Sequence, residues 1–218
     1  MKIFVVIPAY NEHSTIEEVV GNVKKFSKNI VVVDDGSQDE TVKKAKQAGI
    51  PVLHHMVNLG KGAALKTGCD YAIREGADVL VVMDADMQHD PKDIPRLLEA
   101  IKDKDMVFTY RQKSKSMPFV LRFGNVFIQL LTEVLFGVRV KDTQCGFRAF
   151  TKEAYEKIRW ISNDYSVESE MIARVGKKKL RFTQIPIETV YVDKYKGTTP
   201  IDGVKIVLSM LWWRVQGR

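Results

Sequence analysis

The chain has 218 residues, of which 45% are hydrophobic and 28% charged, and its formal net charge is +7. This composition is typical of one ordinary globular domain, and it excludes a disordered chain, a collagen-like chain and a repeat array. Two cysteines, Cys69 and Cys145, could form at most one disulfide, so we expect apolar burial to hold the core together in a reducing compartment.

Over the first hundred residues, short apolar runs rich in β-branched residues alternate with helical stretches. This order is typical of a parallel sheet with crossover helices, and continuously apolar strands indicate burial on both faces. The predicted strands are Ile3–Ile7, Ile30–Val33, Val52–His54 and Val79–Met83. The predicted helix signals are capping boxes at Ser14 with Glu17 and at Ser37 with Glu40, a helical stretch over 60–75, and Pro91 after Asp90.

The second half of the chain contains two helices that are apolar around most of their circumference. The predicted elements are a strand Met106–Tyr110, a polar loop Gln112–Ser116, a helix Pro118–Gly137, a strand Gly146–Thr151, a helix Val167–Val175, a strand Phe182–Val190 and a helix Asp202–Val215. Each apolar helix keeps a narrow polar stripe, so neither is predicted to span a membrane. We expect both to lie in a bilayer interface, where Trp212 and Trp213 fit; a dimer interface or closure of the core is the alternative.

The positive charge is concentrated at the C-terminal end. Residues 171–218 hold ten basic and three acidic side chains, whereas the remainder of the chain is balanced. This region predicts an anionic partner, either phospholipid or nucleic acid, or else a solvated basic face without a partner. No nucleic-acid-binding motif accompanies the charge, so a basic nucleic-acid-binding module is the less favoured interpretation.

Polar clusters follow the first four predicted strands. They are Pro8-Ala9-Tyr10-Asn11-Glu12, Asp34-Asp35-Gly36-Ser37, Asn58-Leu59-Gly60-Lys61-Gly62 and Asp84-Ala85-Asp86-Met87-Gln88-His89. Ligands of open parallel sheets bind outside the carboxyl ends of the strands, so we expect these clusters to meet at one crevice. His54 and His55 have no partners at zinc spacing, and we interpret them as ordinary residues of the sheet edge.

The fourth cluster has the chemistry of a metal site. Asp84 and Asp86 are two residues apart, so both carboxylates can face the same side, with the amide of Gln88 close behind. Hard oxygen ligands suit Mg²⁺ or Mn²⁺, which typically bridge to substrate phosphates. The alternative is that these aspartates only cap the next helix, which we favour for Asp90. Lys61 and the start of its helix could meet a diphosphate, although a glycine pair there can also be turn geometry alone.

Five ordered motifs resemble those of family-2 inverting glycosyltransferases and, within that family, of polyprenyl (dolichyl) phosphate sugar synthases. They are the four clusters above, the last one extended to Pro91, and Asp142-Thr143-Gln144-Cys145-Gly146-Phe147-Arg148. The resemblance covers nearly the whole chain. It implies an α/β GT-A fold, with a Rossmann-like, mostly parallel sheet and helices on both faces. It also implies a nucleotide-sugar donor and a divalent metal, Mg²⁺ or Mn²⁺.

The resemblance implies roles for individual residues. The nucleotide pocket would be lined by Pro8, Tyr10, Glu12, Asp35, Lys61, Asp84 and Ala85. The metal would be held by Asp86 and Gln88. The acceptor phosphate would be gripped by Arg111 and Arg122, with Arg148 as a third candidate, because arginine forks suit phosphate. Arg122 could equally belong to the polar stripe of a packed helix.

The implied reaction transfers a sugar to a lipid phosphate with inversion at the anomeric carbon. A phosphate monoester has a second pKa of about 6, so it is already an anion at pH 7 and attacks without a general base. A hydroxyl acceptor would instead need a base, and Asp142 is the candidate. GDP-mannose is the first expected donor and UDP-glucose the second.

A single domain over residues 1–218 is the simplest organisation. We expect a nucleotide-sugar half at 1–110, an acceptor half at 111–199 and a membrane-interface helix at 200–218. The apolar run Ile3–Pro8 is too short for the core of a signal peptide, which predicts a cytoplasmic protein. The expected location is therefore peripheral, on the cytoplasmic face of a membrane.

Overall fold

The structure is a computed structural model. It describes residues 1–111, 119–188 and 200–215, with the side chains of the two apolar helices described from Val126 and from Gly203 onward. The strands are β1 (Ile3–Ala9), β2 (Ile30–Asp34), β3 (Val52–His54), β4 (Val79–Val82), β5 (Met106–Arg111), β6 (Arg148–Thr151) and β7 (Phe182–Ile187). The helices are α1 (Ile16–Val23), α2 (Thr41–Gln47), α3 (Lys61–Arg74), α4 (Ile94–Ala100), α5 (Phe119–Phe136), α6 (Lys152–Ile158), α7 (Val167–Lys177) and α8 (Pro200–Val215), with a 3₁₀ turn at Pro91–Asp93.

The seven described strands form one sheet in the order β3-β2-β1-β4-β6-β5-β7. The pairs β1 with β2, β1 with β4, β2 with β3 and β5 with β7 are parallel. Only β6 runs against its neighbours β4 and β5 among these strands. The predicted α/β fold with a mostly parallel sheet is confirmed, and the parallel strands bring the carboxyl ends of β1, β2, β3 and β4 to one edge.

Helices cover both faces of the sheet, as predicted. One core packs α3, α6 and α7 against side chains such as Val6 and Leu80. The other core packs α1, α2 and α4 against alternate residues of the same strands, such as Val5 and Val81. Because successive strand residues face opposite sides, a run such as β4 is buried throughout, which explains its continuously apolar sequence.

Both predicted capping boxes are wrong. Helix α1 begins at Ile16 after Thr15, and α2 begins at Thr41 after Glu40. The Ser37 hydroxyl instead accepts a hydrogen bond from the Asn11 backbone N–H, so it ties two polar clusters together rather than capping a helix. The prediction for Asp90 is confirmed, because its carboxylate accepts from the Lys92 backbone N–H at the start of the 3₁₀ turn.

Helix α6 was not predicted from the sequence. Its first turn is capped by Thr151, whose hydroxyl accepts from the Ala154 backbone N–H. The helix follows directly on β6, which begins at Arg148, two residues later than predicted. Strand β7 ends at Ile187, before the predicted Val190, and the predicted loop Gln112–Ser116 lies outside the described residues.

Helices α5 and α8 pack against α7 and against each other, and the three share a small third core. Its buried residues are Ile128, Phe136, Ala173, Ile206 and Met210. Several large apolar side chains of α5 and α8 point instead to solvent; they are Val126, Phe127, Leu130, Val134, Val204, Leu208, Leu211, Trp212 and Val215. Within the described ranges, no helix combines the length and apolarity needed to cross a bilayer.

Candidate active site

The four polar clusters meet at the sheet edge where the carboxyl ends of the strands lie. The Asp35 backbone N–H donates to the carbonyl oxygen of Ala9, joining the first two clusters. The Asp35 carboxylate accepts from the backbone N–H groups of Leu59 and Gly60, joining the third. Lys61 reaches the fourth, with its Nζ 2.7 Å from Oδ1 of Asp84. The expected crevice is therefore a connected network.

Lys61 lies between two carboxylates. Its Nζ is 2.7 Å from Oδ1 of Asp84 and 2.7 Å from Oε1 of Glu168, a residue in the first turn of α7 that the sequence did not single out. Burial alone would lower the pKa of Lys61, but the charges of Asp84 and Glu168 raise it above its ordinary value. Burial would likewise raise the pKa of Asp84, yet the Lys61 charge and His89 hold it below its ordinary value. Lys61 is thus a fixed cation at the centre of the crevice.

Asp86 has a different environment. Burial, followed by the charge of Asp84, raises the pKa of its carboxyl above the ordinary value. Its Oδ1 accepts from the Gln88 backbone N–H. In the described part of the chain, no three His, Cys, Asp or Glu side chains form a metal cluster. The predicted pair, Asp86 and Gln88, still fits Mg²⁺ or Mn²⁺, because a carboxylate and an amide oxygen are hard ligands. Such ions commonly complete their coordination with waters and substrate phosphates, so a third protein ligand is not needed.

The start of α3 is not open to a diphosphate. The backbone N–H groups of Gly62 and Ala63 donate to the carbonyl oxygen of Asn163, at 2.7 and 3.2 Å. A Cβ on Gly60 or Gly62 would come within 2.3 or 2.2 Å of carbonyl oxygens of the 160–166 loop. Of the two alternatives for this glycine pair, the structure favours turn geometry, since both glycines allow the close docking of this loop. The Lys61 side chain is what the turn presents to the crevice.

Two histidines hold the Asp34-Asp35 pair. Nδ1 of His54 lies 2.8 Å from Oδ2 of Asp34, and Nδ1 of His55 lies 2.7 Å from Oδ1 of Asp35. Nε2 of His55 is 3.0 Å from the hydroxyl of Thr67. His54 ends the edge strand β3, as predicted, and the parallel register of β2 with β3 places it beside Asp34, a partnership that the sequence did not predict.

The remaining residues predicted for the nucleotide pocket lie along the first and fourth clusters. Pro8 and Ala85 are buried, whereas Tyr10 is exposed. The backbone N–H of Glu12 donates to the Thr41 hydroxyl, and its carboxylate accepts from the Thr15 hydroxyl. Their predicted contacts with a nucleotide remain predictions.

Arg111 and Asp142 form a two-bond ion pair. Nε of Arg111 lies 2.7 Å from Oδ2 of Asp142, and Nη2 lies 3.1 Å from Oδ1. Oδ1 also accepts from the Gln144 backbone N–H. Because both carboxylate oxygens are engaged, the geometry favours Asp142 as the group that orients Arg111 rather than as a general base. The side chain of Arg122 lies outside the described residues.

Arg148 is placed away from the crevice surface, contrary to its prediction as a phosphate ligand. It is 1% exposed, and its guanidinium donates to the carbonyl oxygens of Cys145, Glu168 and Thr143 at 2.9, 2.8 and 2.9 Å. The register of β6 turns this side chain inward against α7. Arg148 therefore holds the 142–148 loop on the first turn of α7.

The 142–148 loop connects the two halves of the site. At its beginning Asp142 holds Arg111, and Gln144 donates to the hydroxyl of Ser169 at 3.0 Å. At its centre Gly146 lies so close to the network that a Cβ there would be 2.5 Å from Oδ2 of Asp84 and 3.0 Å from Nζ of Lys61. Any larger residue at this position would displace the Asp84 carboxylate and the Lys61 ammonium from their present places.

The chain is similar to known proteins over most of its length. The profile of the Glycosyl transferase family 2 matches residues 4–159. A UDP-N-acetylglucosamine–dolichyl-phosphate N-acetylglucosaminyltransferase of Methanococcus voltae is 34% identical, covering 96% of this chain and 94% of its own. An undecaprenyl-phosphate mannosyltransferase of Micrococcus luteus is 29% identical, covering 100% of this chain and 96% of its own.

A solved structure shares the fold. Glucosyl-3-phosphoglycerate synthase from Mycobacterium tuberculosis, crystallised with Mn²⁺, UDP and phosphoglyceric acid, superposes with a TM-score of 0.77 at 21% identity, covering 98% of this chain and 78% of that chain.

Proposed function

The chain belongs to glycosyl transferase family 2, and from that premise we propose that it transfers one sugar from a nucleotide-sugar donor to the phosphate of a polyprenyl (dolichyl) lipid. The observation that carries this proposal is the loop 142–148, which joins a metal-competent acidic crevice to an arginine. At its centre Gly146 lies against Lys61 and Asp84, and at its beginning Asp142 is paired with Arg111. Two anions, a donor diphosphate and an acceptor phosphate, each find a cation there.

On the donor side, Lys61 faces the diphosphate and Asp86 with Gln88 would hold Mg²⁺ or Mn²⁺. When bound, the metal neutralises charge on the departing nucleoside diphosphate. The Lys61 ammonium adds a fixed positive charge to the same place, and it needs no rearrangement during the reaction because Asp84 and Glu168 already orient it.

On the acceptor side, Arg111 binds the lipid phosphate. An oxygen of that phosphate attacks the anomeric carbon, forming one C–O bond, while the bond from this carbon to the β-phosphate oxygen breaks and the nucleoside diphosphate leaves with the electron pair. The acceptor is already an anion at neutral pH, so no side chain has to take a proton. This fits the engagement of Asp142 by Arg111. Attack opposite the leaving group inverts the anomeric configuration.

GDP-mannose is the donor that we propose first. The Micrococcus luteus relative, named as a mannosyltransferase acting on undecaprenyl phosphate, supports mannose. The Methanococcus voltae relative, named for UDP-N-acetylglucosamine, supports a UDP-linked sugar as the second candidate, beside UDP-glucose.

The test is transfer of radiolabelled sugar from GDP-mannose, UDP-glucose and UDP-N-acetylglucosamine, each supplied separately with a polyprenyl phosphate. We expect one donor to give label that extracts into organic solvent, and EDTA to remove that activity while added Mn²⁺ restores it. A parallel reaction with the polyprenyl alcohol should give none, because an alcohol would need a general base. Label in the alcohol and none in the phosphate would contradict the proposal.

We further propose that the protein works at a membrane surface, on its cytoplasmic face. The exposed apolar side chains of α5 and α8 would enter the lipid interface, which brings the site to an acceptor whose tail lies in the bilayer. Cys69 and Cys145 are both free and buried, which is consistent with a reducing compartment.

The double variant Leu130→Gln with Leu208→Gln tests this surface, because the two side chains are 58% and 61% exposed and their loss should leave the fold intact. We expect binding to phospholipid vesicles, measured by co-sedimentation, to weaken about tenfold or more, since each buried leucine contributes roughly 1.5–3 kcal/mol. The matched control is Met56→Gln, a 91% exposed apolar residue on the opposite half of the chain, which should bind like the wild type. Equal binding by the double variant would contradict the proposed surface.

A further inference from the structure

Glu168 has one carboxylate oxygen without a partner. The residue is 3% exposed, and its Oε1 is paired with Lys61. Its Oε2 is buried and has no hydrogen-bond partner among the residues that the structure describes. Buried polar atoms in proteins are almost always hydrogen-bonded, and a charged one that is not carries a large desolvation cost. The site therefore lacks a hydrogen-bond donor next to Lys61.

The neighbouring acidic residue shows what a purely structural carboxylate looks like here. Glu170, two residues further along α7, accepts from the backbone N–H groups of Ile161 and Ser162 and from Nε of Arg174, so both of its oxygens are used. Asp34 and Asp93 also each keep one buried oxygen without a described partner, but neither is paired with Lys61. Among the described acidic residues, only Glu168 has a buried oxygen without a partner and is also paired with Lys61, the cation that we assign to the diphosphate.

The chemistry of the missing group follows from its surroundings. A phosphate oxygen would be repelled by Glu168, so neither the diphosphate nor the acceptor phosphate can supply the bond. A sugar hydroxyl is a neutral donor, and the sugar of a nucleotide donor is attached directly to the β-phosphate. Oε1 of Glu168 lies 2.7 Å from Nζ of Lys61, so the second oxygen of the same carboxylate is close to the cation that we assign to that phosphate.

We propose that Oε2 of Glu168 accepts a hydrogen bond from one hydroxyl of the donor sugar and thereby selects which sugar is transferred. This inference rests on the proposed function and assigns the sugar-reading residue within it. Because a buried carboxylate left unpaired is costly, a sugar that lacks this hydroxyl or presents it with the opposite configuration binds more weakly.

The test is calorimetric binding of GDP, UDP and the three nucleotide sugars named above, in the presence of Mn²⁺, to the wild type and to Glu168→Gln. The amide oxygen of glutamine can still accept from Lys61, and the charge that repels phosphate is removed, so nucleoside diphosphate affinity should not fall. Affinity for the preferred nucleotide sugar should fall about tenfold, because a hydrogen bond to a charged group is lost. A deoxy analogue missing the hydroxyl should lose a similar factor with the wild type and much less with Glu168→Gln.

The matched control is Glu170→Gln, which should lower the melting temperature and leave the ratio of nucleotide-sugar to nucleoside diphosphate affinity unchanged. An equal loss for both ligand classes in Glu168→Gln would overturn the inference while leaving the proposed function intact. If that variant does not fold, the wild type with single-deoxy analogues decides, since no position costing more than about threefold would also overturn it. Failure of the wild type to bind any nucleotide would instead overturn the proposed function, and the inference with it.

Discussion

The variant Asp86→Asn is expected to lose sugar transfer almost completely, by about 10²–10³ in kcat or more. Asp86 is the carboxylate whose charge is least compensated, because burial and the charge of Asp84 both raise the pKa of its carboxyl. A divalent cation would relieve the repulsion between Asp84 and Asp86, whereas an uncharged amide of the same shape at position 86 would bind that cation poorly. Steady-state transfer, measured over a Mn²⁺ titration, should show a lower maximum and a higher metal requirement.

The control for this prediction is Asp90→Asn. Asp90 lies four residues further on and only caps the 3₁₀ turn, through its bond from the Lys92 backbone N–H. Its variant should keep the wild-type metal dependence and lose a small amount of stability, about 1 kcal/mol. If Asp86→Asn and Asp90→Asn showed the same metal requirement and the same rate, Asp86 would not be a metal ligand.

The variant Arg148→Met is expected to lower the free energy of unfolding by about 3 kcal/mol or more, a large share of the 5–15 kcal/mol typical of a domain. Methionine fills a similar volume, but it leaves the carbonyl oxygens of Thr143, Cys145 and Glu168 without their buried donor. Urea unfolding followed by circular dichroism measures the change.

Arg181→Met is the matched control, because Arg181 is paired with Asp105 at the surface and is 68% exposed there. Exposed pairs contribute about 1 kcal/mol or less. If Arg148 instead bound the phosphate of the acceptor lipid, Arg148→Met would leave the stability unchanged and raise the KM for the lipid phosphate. That result would show that Arg148 binds the acceptor phosphate and would contradict the structural role described above.

The placement of the polar clusters was predictable from the sequence because it depends on local order alone. Alternating strands and helices imply parallel strands, and parallel strands bring residues such as Asp35 and Asp84 to one edge. The capping role of Asp90 was equally local. These predictions needed no knowledge of which distant segments touch.

The inward turn of Arg148 was not predictable in this way. Successive strand residues point to opposite faces, so the pairing register of β6 with β4 decides which of the two helical layers this arginine faces. The Gly62 backbone N–H donates to the carbonyl oxygen of Asn163, which is about a hundred residues away in the chain. No local sequence pattern predicts such a contact.

Glu168 was missed, and the partners of His54 and His55 were not predicted, for a related reason. Glu168 lies in an acidic first turn of a helix, where such residues are common without any function. The burial of this acidic residue, which calls for a cation beside it, is visible only in the structure. His54 and His55 were judged against zinc spacing, although their partners are aspartates on the neighbouring strand.

The central claim is that a lipid phosphate, and not a hydroxyl, attacks the anomeric carbon. The most direct measurement is phosphorus and proton NMR of the lipid product formed from an α-linked nucleotide sugar. The account predicts a phosphodiester linking the sugar to the polyprenyl chain, with the β configuration at the anomeric carbon. A product joined through a carbon-bound hydroxyl, or a phosphodiester with retained α configuration, would contradict it.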